Sequence, residues 1–168
     1  QEYSKAIDYL NEIQILSNDK DIKVESFRKW LDIMKKLKLY NQIILEIQKK
    51  INLPEFDSNI LRDELNMELA ISYMKNKNFS DSKNIFNDII ETSNQKNIKA
   101  QSYYWLGYIS LFHEFELDLA LEYFDLVSET QRSSKYSKQS REYIDDRGKI
   151  SNYDLPEPIN MIGYIESK

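Results

Sequence analysis

Apolar residues recur at three- and four-residue intervals along nearly the whole chain, the spacing that gathers side chains on one face of an α-helix. Ala6, Leu10 and Ile13 form a first stripe. Phe27, Trp30, Leu31 and Met34 form a second, and Ile43, Ile44, Ile47 and Ile51 a third. Leu61, Leu65, Leu69 and Tyr73 follow, then Ile85, Phe86, Ile89 and Ile90. Tyr103, Leu106, Gly107, Ser110 and Leu111 lead to the last stripe, Leu121, Phe124 and Val127. Polar breaks at Ser17-Asn18-Asp19, Asp57-Ser58-Asn59 and Asn76-Lys77-Asn78 separate the stripes, and Asp57 or Ser58 can cap the helix that follows. No segment alternates apolar and polar residues between turn dipeptides, so strands are not expected. The predicted fold class is all-α, with about seven to eight helices over residues 1–149. Beyond residue 150 the pattern ends. Leu155-Pro156-Glu157-Pro158 cannot continue a helix, because each proline lacks an amide proton and restricts its predecessor. The tail at 150–168 still carries Ile159, Met161, Ile162, Tyr164 and Ile165, so it is expected to dock rather than to be solvated.

Composition narrows the function. A chain of 168 residues that is 41% hydrophobic can build one domain with a core. It has no Cys, one His and three Gly, which excludes a disulfide framework, a thiolate metal site, any motif needing two His, and a glycine-rich phosphate loop. A net charge of −5 argues against a nucleic-acid partner, since phosphate binding needs a basic face. The apolar run Tyr103 to Phe112 is too short to cross a bilayer and reads as a buried helix. His113 lies beside Glu114 and Glu116 without a second strong ligand, so it is read as structural rather than metal-binding. No GxSxG surrounds a serine, and carboxylate neighbours such as Asp145-Asp146 are ordinary in so charged a chain. Asn78-Phe79-Ser80 fits a glycosylation acceptor but falls in a turn between helices. No catalytic residue, metal ligand or cofactor is therefore expected, and the chain is read as a non-enzyme.

An internal repeat runs beneath the stripes. Ala70 and Ser82 are small residues flanked by Leu69, Tyr73, Phe86 and Ile89. Gly107 and Ala120 are small residues flanked by Leu106, Phe124 and Val127. Small side chains let two antiparallel helices approach closely, while the large ones fill the space beside them. This arrangement resembles the tetratricopeptide repeat, a helix-turn-helix unit. The resemblance implies a right-handed solenoid of helical hairpins, with clear repeats at about 60–94 and 97–130. The second departs by one extra residue in its turn and by Ser110 in place of an aromatic residue. A degenerate pair is expected at about 20–53, where Leu31 and Ile43 are large at the small positions, so that the helices should splay or pack differently. A capping helix is expected at about 133–148. Lys5-Ala6-Ile7-Asp8-Tyr9-Leu10 reads like the second helix of a unit, which implies that the native protein continues before Gln1. Tyr104-Trp105-Leu106-Gly107, Ala120, Phe124 and Val127, followed by Ser134-Lys135-Tyr136-Ser137 and Ser140, resemble bacterial envelope members of the family. These are outer-membrane assembly lipoproteins and Tol-associated periplasmic proteins. Arg132 stands where they usually carry proline, and Ser137 and Ser140 where they carry alanine. A periplasmic or outer-membrane-associated location follows from that resemblance, with the cytoplasm as the alternative.

In such solenoids the first helix of each pair lines the ligand-binding face. The resemblance places Glu64, Met67, Ile71, Met74, Gln101, Tyr104, Tyr108 and Leu111 there, as a partner-binding groove. Six of the eight are apolar or aromatic, which suits either a binding patch or cover by other parts of the chain. Charge is segregated as well. No Lys or Arg occurs from Ala100 to Gln131, whereas Arg28, Lys29, Lys35, Lys36, Lys38, Lys49 and Lys50 crowd one stretch. These runs are either solvated faces or devices that steer a partner. The expected function is a non-enzymatic scaffold or adaptor that binds another protein through the groove and takes part in assembling a complex. The alternatives are a self-associating structural module, forming a homo-oligomer, and a regulatory domain of a larger protein.

Overall fold

The computed structural model describes residues 2–144. Among them are eight α-helices and no β-strand, so the described chain is all-α. The helices are α1 (Glu2–Leu16), α2 (Lys20–Lys36), α3 (Tyr40–Lys50), α4 (Asn59–Lys75), α5 (Phe79–Thr92), α6 (Lys96–Ile109), α7 (Leu117–Thr130) and α8 (Lys135–Arg141). The expected docking of the tail at 150–168, and the end of the expected capping helix, lie outside the described residues. The chain divides between Ser93 and Asn94 into two compact units.

Helix starts follow from local chemistry. The carboxylate of Asp19 accepts from the amides of Asp21 and Ile22, and the Ser58 hydroxyl accepts from Leu61. Asn78 and Ser134 serve α5 and α8 in the same way. Each such cap contributes about 1 kcal/mol.

Helix ends carry a repeated device. Lys38, Lys77 and Phe115 all adopt left-handed backbone, with φ of 57°, 63° and 59°. In the first turn the Lys38 amide donates to Lys35 and the Leu39 amide to Met34. In the second, Lys77 donates to Met74 and Asn78 to Tyr73, the same pattern one hairpin later. Both close the carbonyls left open at a helix end. In the third, α6 widens over Ser110–Glu114 into a π-helical turn, and the amides of Phe115 and Glu116 both reach the Ser110 carbonyl. The extra residue seen in the sequence is absorbed here. The left-handed residue follows the crossing position (Leu31, Ala70, Gly107) by seven places in the first two hairpins and eight in the third. It precedes the second crossing position (Ile43, Ser82, Ala120) by five places in all three.

The crossings themselves differ. In the α4–α5 pair the buried Ser82 hydroxyl donates to the Ala70 carbonyl at 2.8 Å, a contact only a small residue permits. In the α6–α7 pair a Cβ added to Gly107 would stand 2.6 Å from Cε1 of Phe124, so the ring occupies the space a side chain would need. In the α2–α3 pair Leu31 and Ile43 are both buried, and these helices touch over a much shorter stretch than the other two pairs.

The core of the first unit centres on Phe27, which stacks on Trp30 at 5.5 Å and meets Phe56 edge-on at 5.4 Å. Phe56 arrives there from a single 3-10 turn, Pro54–Phe56, in the connection to α4. The core of the second unit is aromatic: Tyr104, Phe124, Tyr136 and Tyr143 pack around the α6–α7 crossing. The helix α8 lies on α7 through the fully buried Ser137 and Ser140, and Ser137 shares a hydrogen bond with Ser128 at 3.0 Å.

Gly107→Ala should destabilise the protein by about 1–3 kcal/mol through overpacking against Phe124. Urea denaturation measures the loss, and adding Phe124→Leu should recover part of it. A loss within about 0.5 kcal/mol would mean that α6 and α7 can separate freely.

Candidate functional site

The eight residues expected to line a groove fall into two groups. Met67, Met74, Tyr104 and Leu111 are buried, while Glu64, Ile71, Gln101 and Tyr108 are partly exposed. Tyr104 and Leu111 belong to the core of the second unit, Tyr104 packing edge-on against Trp105 and facing Phe124 and Tyr136. Tyr108 lies between the rings of Trp105 and Phe112, with the exposed His113 at its edge. Glu64 accepts from Arg28 at 2.6 Å across α2 and α4. Beside it, Lys35 bridges Glu68 at 2.7 Å and Asp32 at 3.1 Å. Burial works against the Lys35 charge, but the hydrogen bonds and charges of Glu68 and Asp32 outweigh it and raise the pKa. The first helices of two successive hairpins are thus tied together by ion pairs, each contributing up to about 1 kcal/mol at such exposure.

The basic stretch of the sequence is largely occupied locally. Arg28 and Lys35 hold α4, Lys29 holds Glu25, Lys49 holds Glu46, and the Lys50 ammonium stands 5.4 Å from the centre of the Phe27 ring. On α7, Asp118, Glu122, Asp125 and Glu129 form an exposed stripe at helical spacing. No helix among the described residues is long and apolar enough to cross a membrane.

The structure brings forward a site that the pattern of stripes did not single out. In the first unit, α1 and α3 flank one face of α2, and between them runs an open groove of about 520 Å³. Trp30 and Met34 of α2 line it, although only 5% and 1% of their surfaces reach solvent. Its walls are Ile7 and Ile15 of α1 and Leu45 of α3, with Ile15 79% and Leu45 55% exposed. Asn11, Gln14, Gln42, Glu46 and Lys49 supply a polar rim, with the Glu46–Lys49 pair at 2.6 Å. Large aliphatic side chains so exposed beside an aromatic floor are what a recognition site offers.

Each wall has a local cause. Ile43, Ile44 and Ile47 turn one face of α3 into the core, and Leu45 is left on the other. Leu10 anchors α1 to the same core, and Ile15 is carried round to the groove. A second recess of about 390 Å³ adjoins across Leu45, lined by Asn41, Ile44, Tyr73, Asn76 and Asn78. There the Asn76 amide donates to Asn41 and the Gln48 amide to the Tyr73 hydroxyl. The signal for the groove lay in Ile15 and Leu45, apolar residues that fall outside the stripes of their own helices, and Leu45 alone is shared with the second recess.

Comparison of the chain with protein-family models, with curated proteins and with solved structures gives no match.

Burial raises the pKa of the Tyr104 phenol above its ordinary value, and its hydrogen bond with Tyr143 adds to the effect. The folded chain therefore keeps a proton that the unfolded chain loses near pH 10. Its stability contribution is full below that pH and declines as pH rises further, and Lys35 acts in the same direction. Denaturant unfolding at successive pH values should show stability falling above about pH 10. Tyr104→Phe should fall less steeply, and equal slopes would remove Tyr104 as the cause.

Proposed function

We propose that this chain is a non-enzymatic protein-interaction module, built of helical hairpins in the manner of tetratricopeptide repeats. It seats a segment of a partner protein in the groove between α1 and α3. The observation that carries the reading is the groove itself: a Trp30–Met34 floor, exposed Ile15 and Leu45 on opposite walls, and a rim of amides. An aromatic anchor point ringed by polar groups is where binding energy concentrates in protein interfaces. The left-handed residue that recurs in all three turns, five places before each second crossing position, supports the hairpin reading, because a repeated unit requires a repeated connection. The partner groove first expected on α4 and α6 is thereby moved to α1–α3, since Met67, Met74, Tyr104 and Leu111 are buried.

Affinity capture from an extract of the source cell, followed by direct binding of the purified captured protein, tests this reading. Ile15→Asp and Leu45→Asp place a charge on each wall at exposed positions, so helix content should be unchanged. Each should weaken binding by about tenfold or more. Tyr108→Ala, in the other unit, should leave it unaltered. Equal binding by wild type and the two folded groove variants, with loss in Tyr108→Ala, would return the site to the second unit.

A further inference from the structure

The groove uses one side of α1, and a different side carries a second pattern. At 3.6 residues per turn, Lys5, Tyr9, Glu12 and Leu16 fall within a strip about 60° wide, its centre about 90° from Ile15 and about 130° from Asn11. All four are exposed, Tyr9 by 65% and Leu16 by 68%. Leu10, on the far side, is what holds α1 to the core. Neither Lys5 nor Glu12 has an ion-pair partner among the described residues. The strip therefore presents a cation, an aromatic ring, an anion and an aliphatic residue in order along one exposed helix.

We propose that a second copy of this chain packs on this strip, its α1 antiparallel to the first. The charge order selects the occupant. With a two-fold axis beside Tyr9, Lys5 of each copy faces Glu12 of the other, giving two equivalent ion pairs around one contact. The two Tyr9 rings meet at the axis, and Leu16 covers each end. Parallel packing in register would set Lys5 against Lys5 and Glu12 against Glu12, so like charges exclude it. A 15-residue helix is about 22 Å long, and one face of it makes an interface below the standard size. The dimer is accordingly weak and forms at high protein concentration. It leaves the α1–α3 groove open, and it stands independently of the partner assigned to that groove.

Sedimentation of the 168-residue chain from micromolar to several hundred micromolar, at low salt, tests the proposal. Wild type should shift from monomer to dimer as concentration rises. Lys5→Glu alone sets Glu against Glu, Glu12→Lys alone sets Lys against Lys, and each should weaken association by about tenfold. Mixing the two single variants should restore it, because every facing pair is again opposite in charge. Circular dichroism checks that each variant keeps its helices. A wild-type chain that stays monomeric throughout, single variants that associate like wild type, or a mixture no more associated than its components would each overturn the proposal. In the first case the face is left to a different protein.

Discussion

The distance at which paired helices cross governs the rest of the molecule. Backbones approach closely only where the crossing residues are small, and two of the three hairpins meet that condition. Gly107 leaves room for the Phe124 ring, and the Ser82 hydroxyl reaches the Ala70 carbonyl. Close crossing brings the flanking large residues into contact, Leu106 and Val127 being fully buried in one pair and Phe86 and Ile89 all but fully in the other. Since folded stability is a small remainder of large terms, a single methyl group at such a crossing is felt throughout its unit. The turn then fixes register: a left-handed residue five places before the second crossing position recurs at Lys38, Lys77 and Phe115.

The first hairpin breaks the rule. Leu31 and Ile43 are large and buried at its crossing positions, and α2 and α3 meet over a short stretch. The connection to α4 makes up for lost contact by sending Phe56 against Phe27. Helix α1 covers part of α2, but α1 and α3 leave Trp30 and Met34 at the base of an open channel. The recess proposed for a partner thus lies beside the hairpin whose crossing positions carry large residues. Ion pairs from Arg28 and Lys35 to α4 hold the opposite side of α2 in place, so the groove is built on fixed elements.

Much of this was legible in the sequence, because helical periodicity and small-residue spacing are local signals. The helices, the large residues at the first crossing and the extra residue before Phe115 can all be read from residue order. The extra residue does not lengthen the connection; it widens the end of α6, which spacing alone does not distinguish. The candidate site was less legible. Met67, Met74, Tyr104 and Leu111 fall on the expected face but are buried, and whether an apolar helix face is covered depends on packing that periodicity does not encode. Ile15 and Leu45 are single apolar residues on otherwise polar faces. They become a site only when α1 and α3 are brought to the same side of α2.

The groove between α1 and α3 is the surface assigned to a partner. Amide hydrogen exchange of the chain, with and without its captured partner, addresses that directly. Slowed exchange should concentrate in residues 7–15 and 42–50, the two walls, with α7 unchanged. Slowing confined to residues 96–130, with both walls exchanging as in the free chain, would contradict it.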